Sequence, residues 1–377
     1  MKTLKLLLFP ALLMLCCNHA DKESSDSSSD IPLTSIKLPS GFTISIYAEV
    51  ESARSMVLSP SGTLFVGNRD ANSVYALKDT NGDNVADKKW VVASGLHSPN
   101  GVAFQNGDLY IAEISRISKL PGIESKLDNP GKPVTVYDKF PTDEHHGWKY
   151  IAFGPDGKLY VPVGAPCNIC ESGNSVYASI TRMNPDGTGM EVFASGVRNS
   201  VGFTWHPVTG NIWFTDNGRD MLGDDVPPCE LNTATKAGQH FGYPYCHGGT
   251  IKDPEFGNKR ACSEFTQPAQ NLGAHVAPLG LKFYTGTQFP ETYRNNLIVA
   301  EHGSWNRSKK SGYKLSLVKV DANSKVTSYK TFASGWMDEA TQKVWGRPVD
   351  VLVMPDGALL VSDDYAGVIY RIAYKGK

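Results

Sequence analysis

The chain has 377 residues, with 37 Lys and Arg against 38 Asp and Glu, so its formal net charge is −1. That balance leaves no basic field for nucleic acid, and 41% apolar with 20% charged residues is the composition of a globular protein. The length suits one large repeat domain, and abundant Tyr, Trp and Phe with little helical periodicity favour an all-β fold.

The N-terminus reads separately. Lys2 and Lys5 precede the apolar run LLLFPALLML, which stops at Cys16 and Cys17. The run is too short to span a bilayer and predicts a lipoprotein-type signal peptide over residues 1–17, with a lipid anchor on Cys17 as the only membrane attachment. An ordinary cleaved signal is the alternative, since Met14 is an imperfect residue for lipoprotein processing. Residues 18–30 are Ser/Asp-rich and read as a flexible tether. A folded domain over 31–377 follows, exported to a bacterial periplasm or cell surface.

One phrase recurs about six times from there on: SPSGTLFVGNR at Ser59, QNGDLYIAE at Gln105, GPDGKLYVPVG at Gly154, HPVTGNIWFTDN at His206, the degenerate ETYRNNLIVAE at Glu291 and MPDGALLVSDD at Met354. Each is a tight turn followed by an alternating apolar strand. The copies recur every roughly 45 to 85 residues, the period of a propeller blade with insertions. The expectation is a six-bladed β-propeller with a central channel and equivalent loops meeting at one mouth.

Between the first two copies, DTNGDNVAD places Asp79, Asn81, Asp83 and Asp87 in the alternation of a calcium loop, without the distal Glu of an EF-hand. A solvated hairpin turn is the other reading. The cysteines of the mature domain are Cys167, Cys170, Cys229, Cys246 and Cys262. Export favours disulfides. Cys246 and Cys262 bracket one insertion and should pair. CNIC reads as a local disulfide or half a metal site, and Cys229 is then free.

Residues entering the blades repeat in kind. His146, Arg198, His275 and Arg347 each stand shortly before a strand phrase. Rotation about a propeller axis would bring two arginines and two histidines to one mouth, where clustered cations repel and so suit a polyanionic guest. Local pairing, such as Arg347 with Asp350, is the bland alternative. Polar residues also leave each phrase: Asn68-Arg69, Glu113, Asp216-Asn217-Gly218-Arg219, Glu301-His302 and Asp363-Asp364. The run TDNGRDMLGDDVPPCE is rich in the oxygen donors that hard cations require.

With these motifs in order, the chain resembles the soluble pyrroloquinoline-quinone (PQQ) sugar dehydrogenases, and within them the sorbosone/pyranose dehydrogenase branch. The resemblance rests on GNRDANSVYALKDTNGD, HHGWKYIAFGPDGKLYVPVGAPCNIC, GVRNSVGF, TDNGRDMLGDDVPPCELN, GQHFGYPYCHGG, HVAPLGLKFYTG, AEHGSWNR and GRPVDV. It implies a six-bladed propeller holding PQQ and Ca2+ at its mouth. His146 rather than His145 would be the general base. Arg198, Asn199 and Arg347 would bind the cofactor, with His275 and Arg69 nearby. Calcium would be held by carbonyls around Asn217, Gly218 and Arg219, although Arg219 replaces the Pro of the glucose-specific branch. Ala165 stands where that branch has an Asp supporting the histidine. Its cofactor-binding Lys has no match, so His302 or Arg307 could stand in. The substrate would be a sugar hydroxyl. No CxxCH haem motif is present, so electrons would pass to a separate acceptor, a cytochrome or the quinone pool. Two other classes fit the fold alone: a calcium-dependent propeller lactonase or esterase, and a non-catalytic glycan-binding propeller.

Overall fold

The computed structural model describes residues 31–376; the predicted signal peptide, lipid anchor and tether lie outside them. Six β-sheets form the six blades of a propeller. Blade 1 holds Ala53–Leu58, Leu64–Asn68, Val74–Lys78 and Lys88–Ala93 in that order from the axis outward. Blades 2 to 5 begin at the axis with Gly101–Gln105, Ala152–Phe153, Phe203–Trp205 and Pro278–Phe283. Blade 6 takes three strands from the end of the chain, Pro348–Val353, Leu359–Asp363 and Val368–Tyr374. Its outer strand is Phe42–Glu49, paired antiparallel with Val368–Tyr374. The ring thus closes through a strand from the opposite end of the sequence, which covers an edge that would otherwise be exposed.

Each repeated phrase forms the turn between the first and second strands of a blade. Asn106, Gly107, Gly157, Gly210, Asn295 and Gly357 supply the positive φ those turns need. The strands carry the core between blades: Phe65, Val102 and Ile111 join blades 1 and 2, and Ile298, Leu315, Val351 and Val361 join blades 5 and 6. Burying one such aliphatic side chain contributes roughly 1.5–3 kcal/mol, so the ring is held by interblade contact all the way round.

Near the axis the blades approach too closely for side chains. A Cβ on Gly202 would collide with the carbonyl of Leu279, and one on Gly101 with that of Lys149. The inner strands of blades 1, 5 and 6 each carry a register shift close to their start, between Ala53 and Met56, Pro278 and Leu281, and Pro348 and Val351. Such bulges re-aim side chains, here where the inner strands leave the mouth.

Strand direction fixes what lies on each face. The first residues of every inner strand and the last of every second strand share one face, which is the mouth. The Asp79–Asp87 loop joins the third and fourth strands of blade 1 and therefore lies on the opposite face.

The disulfides expected at Cys167–Cys170 and Cys246–Cys262 are both formed, and Cys229 is free and buried. Burial pushes the Cys229 thiol up to about 11.

Candidate active site

The mouth is built by two neighbouring groups of residues. The first comes from blades 3 and 4. His146 adopts a left-handed conformation, φ 54°, as does His275, φ 60°. Such strain in a non-glycine residue concentrates at functional sites. The Nδ1 of His146 lies 2.9 Å from the Ala165 carbonyl. A carbonyl only accepts, so Nδ1 carries the proton and Nε2 presents a lone pair. The support expected from an Asp is therefore given by the main chain of the residue in its place. Gly164 is needed for that approach, since a Cβ there would stand 2.5 Å from the His146 Cβ.

Arg198 is 3% exposed. Its guanidinium donates to the Asn168 carbonyl and Oδ1, each at 2.9 Å, to the Asn217 carbonyl at 3.1 Å, and weakly to Asp220 at 3.4 Å. The Asp216 carboxylate accepts the peptide N–H groups of Arg198 and Asn199, at 2.9 and 2.7 Å. Asn217 donates to the Asn199 carbonyl at 2.9 Å. His275 sits 3.7 Å from Asp220 and contacts the Gly223 carbonyl at 2.8 Å. Burial first, then the charge of Arg198 and the neighbouring His145, pushes His146 down to about 2. Its imidazole is neutral in the free protein. His145, its ring centroid 4.0 Å away, is exposed and has no such anchorage.

The second group comes from blades 1, 5 and 6. Arg347 does not pair with Asp350. It donates to the carbonyls of His302 and Gly303, at 3.1 and 2.8 Å, and no carboxylate lies within ion-pair distance among the described residues. Its peptide N–H is taken by Asp363 at 2.9 Å. His302 and Arg54 both bind Asp364 at 2.8 Å. Burial, aided by Arg347 and Arg54 and opposed by Asp364, pushes His302 down to about 4. Against burial, His302, Arg54 and Arg347 hold Asp364 far below the usual carboxylate range.

Trp148 lies on the axis. Its ring packs on Val201, Leu279 and Val349, from the entries of three other blades, and makes an apolar floor. The Arg69 guanidinium lies 5.4 Å from the centre of that ring.

The structure thus brings His146, Arg198, Asn199, Asn217 and His275 together, and Arg347 with His302. Arg69 also pairs with the neighbouring Asp70 at 3.2 Å, and Arg307 ties its own loop to Asp224 and Asp225. The Arg219 side chain turns away to Asp253 at 2.5 Å and Glu255 at 3.5 Å. The expected cationic surplus is smaller than it reads in sequence, because Asp220 and Asp364 offset part of it. These carboxylates are occupied by arginine and histidine, which argues against the axial acidic cage a lactonase would need. Arg54 and Asn168 were not anticipated; Asp364 was read among the polar residues leaving the phrases, and Asp220 lies within the oxygen-rich run TDNGRDMLGDDVPPCE. An arginine inside the apolar entry to blade 1 is the signal that would have exposed Arg54.

For the remaining calcium loop, Asp79 accepts the N–H groups of Gly82 and Asn84 at 2.7 and 2.9 Å, and Asp83 that of Val85 at 2.8 Å. Asp87 accepts from Thr80, and Asn81 from the Asp83 N–H. The loop is closed on its own backbone. Among the described residues no three His, Cys, Asp or Glu side chains converge as a metal site.

The family model described as TrAA12-like matches residues 36–375. The chain belongs to that family, one of PQQ-dependent oxidoreductases. It is 33% identical over 356 residues to an uncharacterized protein of Borreliella burgdorferi, covering 91% of this chain and 92% of that one. It is 28% identical over 233 residues to a PQQ-dependent pyranose dehydrogenase of Coprinopsis cinerea, covering 48% of this chain and 31% of the relative. The holo form of the PQQ domain of the Coprinopsis pyranose dehydrogenase superposes with a TM-score of 0.75 at 20% identity, over 90% of this chain and 97% of that domain. At that identity the superposition speaks to the fold alone.

Proposed function

We propose that this member of the TrAA12-like family is a PQQ- and calcium-dependent dehydrogenase that oxidises a sugar hydroxyl. The observation that carries the reading is a neutral, main-chain-anchored His146 beside Arg198, in a mouth where Arg347 has no carboxylate within ion-pair distance among the described residues.

The donor set fits a tricarboxylate quinone. Arg198 and Arg347 offer charge-assisted donors to carboxylates. The buried Nε1 of Trp148 has no partner among the described residues, and a guest rich in oxygen would satisfy it. The carbonyls of Gly218 and Arg219 accept no hydrogen bond and are available to a hard cation. Bound PQQ would supply the two-electron acceptor for a hydride.

The chain's own part is orientation and proton transfer. The Ala165 carbonyl fixes the tautomer, so His146 Nε2 takes the hydroxyl proton as the hydride leaves carbon. Arg198 stabilises negative charge and opposes early protonation of His146. The Trp148 floor keeps water from beneath the reacting groups. We further propose export, a lipid anchor at Cys17 and delivery of electrons to a separate cytochrome or quinone.

The test adds PQQ and calcium to the purified chain and records its absorbance spectrum and dye-linked turnover on a panel of aldoses and ketoses. Absence of PQQ binding at micromolar concentration would refute the proposal.

A further inference from the structure

The CNIC motif has no part in the chemistry above, yet it holds Arg198, a buried arginine of the mouth. Asn168 lies inside the Cys167–Cys170 ring and makes two of the hydrogen bonds to the Arg198 guanidinium, both at 2.9 Å. Its Oδ1 also accepts the Asp220 N–H at 2.8 Å, and its Nδ2 donates to the Asp220 carbonyl at 3.1 Å. One side chain therefore fastens both Arg198 and the loop that follows Asn217-Gly218-Arg219.

The ring is framed from outside. The Tyr243 hydroxyl accepts the Cys170 N–H at 3.0 Å and lies 3.4 Å from the Cys167 sulfur. Tyr245 donates to Glu171 at 2.7 Å, and Lys259 pairs with the same carboxylate. The lysine lies inside the insertion stapled by Cys246–Cys262, and both tyrosines immediately precede it. A segment without regular structure would otherwise sample many conformers.

The choice of Asn has a chemical reason. A neutral amide and a peptide carbonyl can orient the guanidinium fork while leaving its charge for a guest. An Asp at the same place would orient it equally well but cancel that charge.

The geometry points to Asn168 as the positioning residue of Arg198, with the disulfide ring and Tyr243 as its frame, so that the CNIC loop belongs to the anion-binding mouth rather than serving only as a staple of the fold. This rests on the proposed role of Arg198 toward the carboxylates of PQQ.

The test measures the PQQ dissociation constant by quenching of intrinsic tryptophan fluorescence, in the full chain with calcium, together with the melting temperature. Asn168→Ala and the double variant Cys167→Ser with Cys170→Ser should each raise Kd about 10- to 100-fold, the size expected for charge-assisted bonds. Asn168→Asp keeps both acceptors for Arg198 but loses the Nδ2 donor to the Asp220 carbonyl, so its Kd is read in folded protein, where it is expected to weaken PQQ at least as much as Asn168→Ala. A mere staple gives the reverse pattern, a lowered melting temperature with unchanged Kd in folded protein, and overturns the inference. Should the double cysteine variant not fold, the two Asn168 variants decide alone. Wild-type protein that fails to bind PQQ overturns the functional proposal and this inference with it. Wild-type binding with unaltered Asn168 variants overturns this inference only.

Discussion

Replacing His146 by Gln is the most direct probe of the proposed chemistry. Gln can still donate to the Ala165 carbonyl, so the local frame should survive, but it has no basic nitrogen at the position of Nε2. Loss of a general base typically costs about 10²–10⁴-fold in turnover, or about 3–5.5 kcal/mol of barrier. Affinity for PQQ should change by less than about tenfold, because the bonds of Arg198 and Arg347 do not involve the imidazole. The pH profile carries the second half of the prediction. In the free protein burial and Arg198 hold His146 at about 2. Carboxylates brought beside Arg198 oppose its field and move His146 upward. Protonated His146 cannot accept the substrate proton, so kcat should fall as pH drops through the pKa of the loaded site, above that of the free protein. Dye-linked kinetics from pH 4 to 9, with NMR titration of the ring with and without PQQ, measures both. A His146→Gln enzyme with normal turnover, or a dead His145→Ala enzyme beside an active His146→Gln, would refute the assignment.

Arg347→Met should raise the PQQ Kd about 10- to 100-fold, with little change in melting temperature, since it breaks no ion pair; equilibrium binding measures this. Asp83→Ala should leave turnover per folded molecule unaltered, because its loop is on the face away from the mouth; a lost calcium-dependent shift in melting temperature would show that the loop binds the ion, and lost turnover would contradict its placement. His240, pushed down to about 4 by burial and then by Arg260, is neutral in the fold but titrates near 6.5 when unfolded. Wild-type stability should therefore fall as pH drops from 6.5 to 4, and His240→Gln should remove about 3 kcal/mol of that fall at most, read from urea unfolding at both pH values.

The architecture was legible because the phrase that repeats is also the unit that folds. A turn with Gly or Asn followed by an alternating strand reports local backbone needs, and those needs survive insertions as long as 239–268. His146, Arg198, His275 and Arg347 could be found for the same reason, since equivalent positions in a rotational repeat share a face. What connects them was not legible. Arg54 meets Asp364 across 310 residues of sequence, and Asn168 reaches Arg198 from another blade. Such pairs depend on how the ring closes. Sequence also overstated the charge of the mouth, because Asp220 and Asp364, which offset part of it, stand in loops whose contacts with Arg198 and His302 form only in the folded ring.

The repeat itself explains why those arginines are so well placed. In blades 2, 4 and 6 the acid at the end of the second strand accepts a peptide N–H from the segment entering the inner strand: Glu113 takes His97 at 2.8 Å, Asp216 takes Arg198 at 2.9 Å and Asp363 takes Arg347 at 2.9 Å, whereas Glu301 of blade 5 accepts the hydroxyls of Ser316 and Tyr329 instead. The bond uses backbone on one side, so the fold provides the same socket whatever side chain occupies it. The socket has an electrostatic cost. Burial, and for Asp216 also Glu230, raises the carboxyls of Asp216 and Asp363, the latter to about 6; the entering peptide N–H groups, and for Asp216 the charge of Arg198, oppose the shift. Blade 3 departs from the rule. Its second strand runs out at Gly164 and Ala165, and Ala165 gives its N–H to the Arg198 carbonyl at 2.8 Å and its own carbonyl to His146. A carboxylate there would add a charge that raises the pKa of the imidazole. With a neutral carbonyl in its place, blade 3 fixes the tautomer of His146 from the main chain, without an added charge, and leaves its Nε2 free to accept a proton.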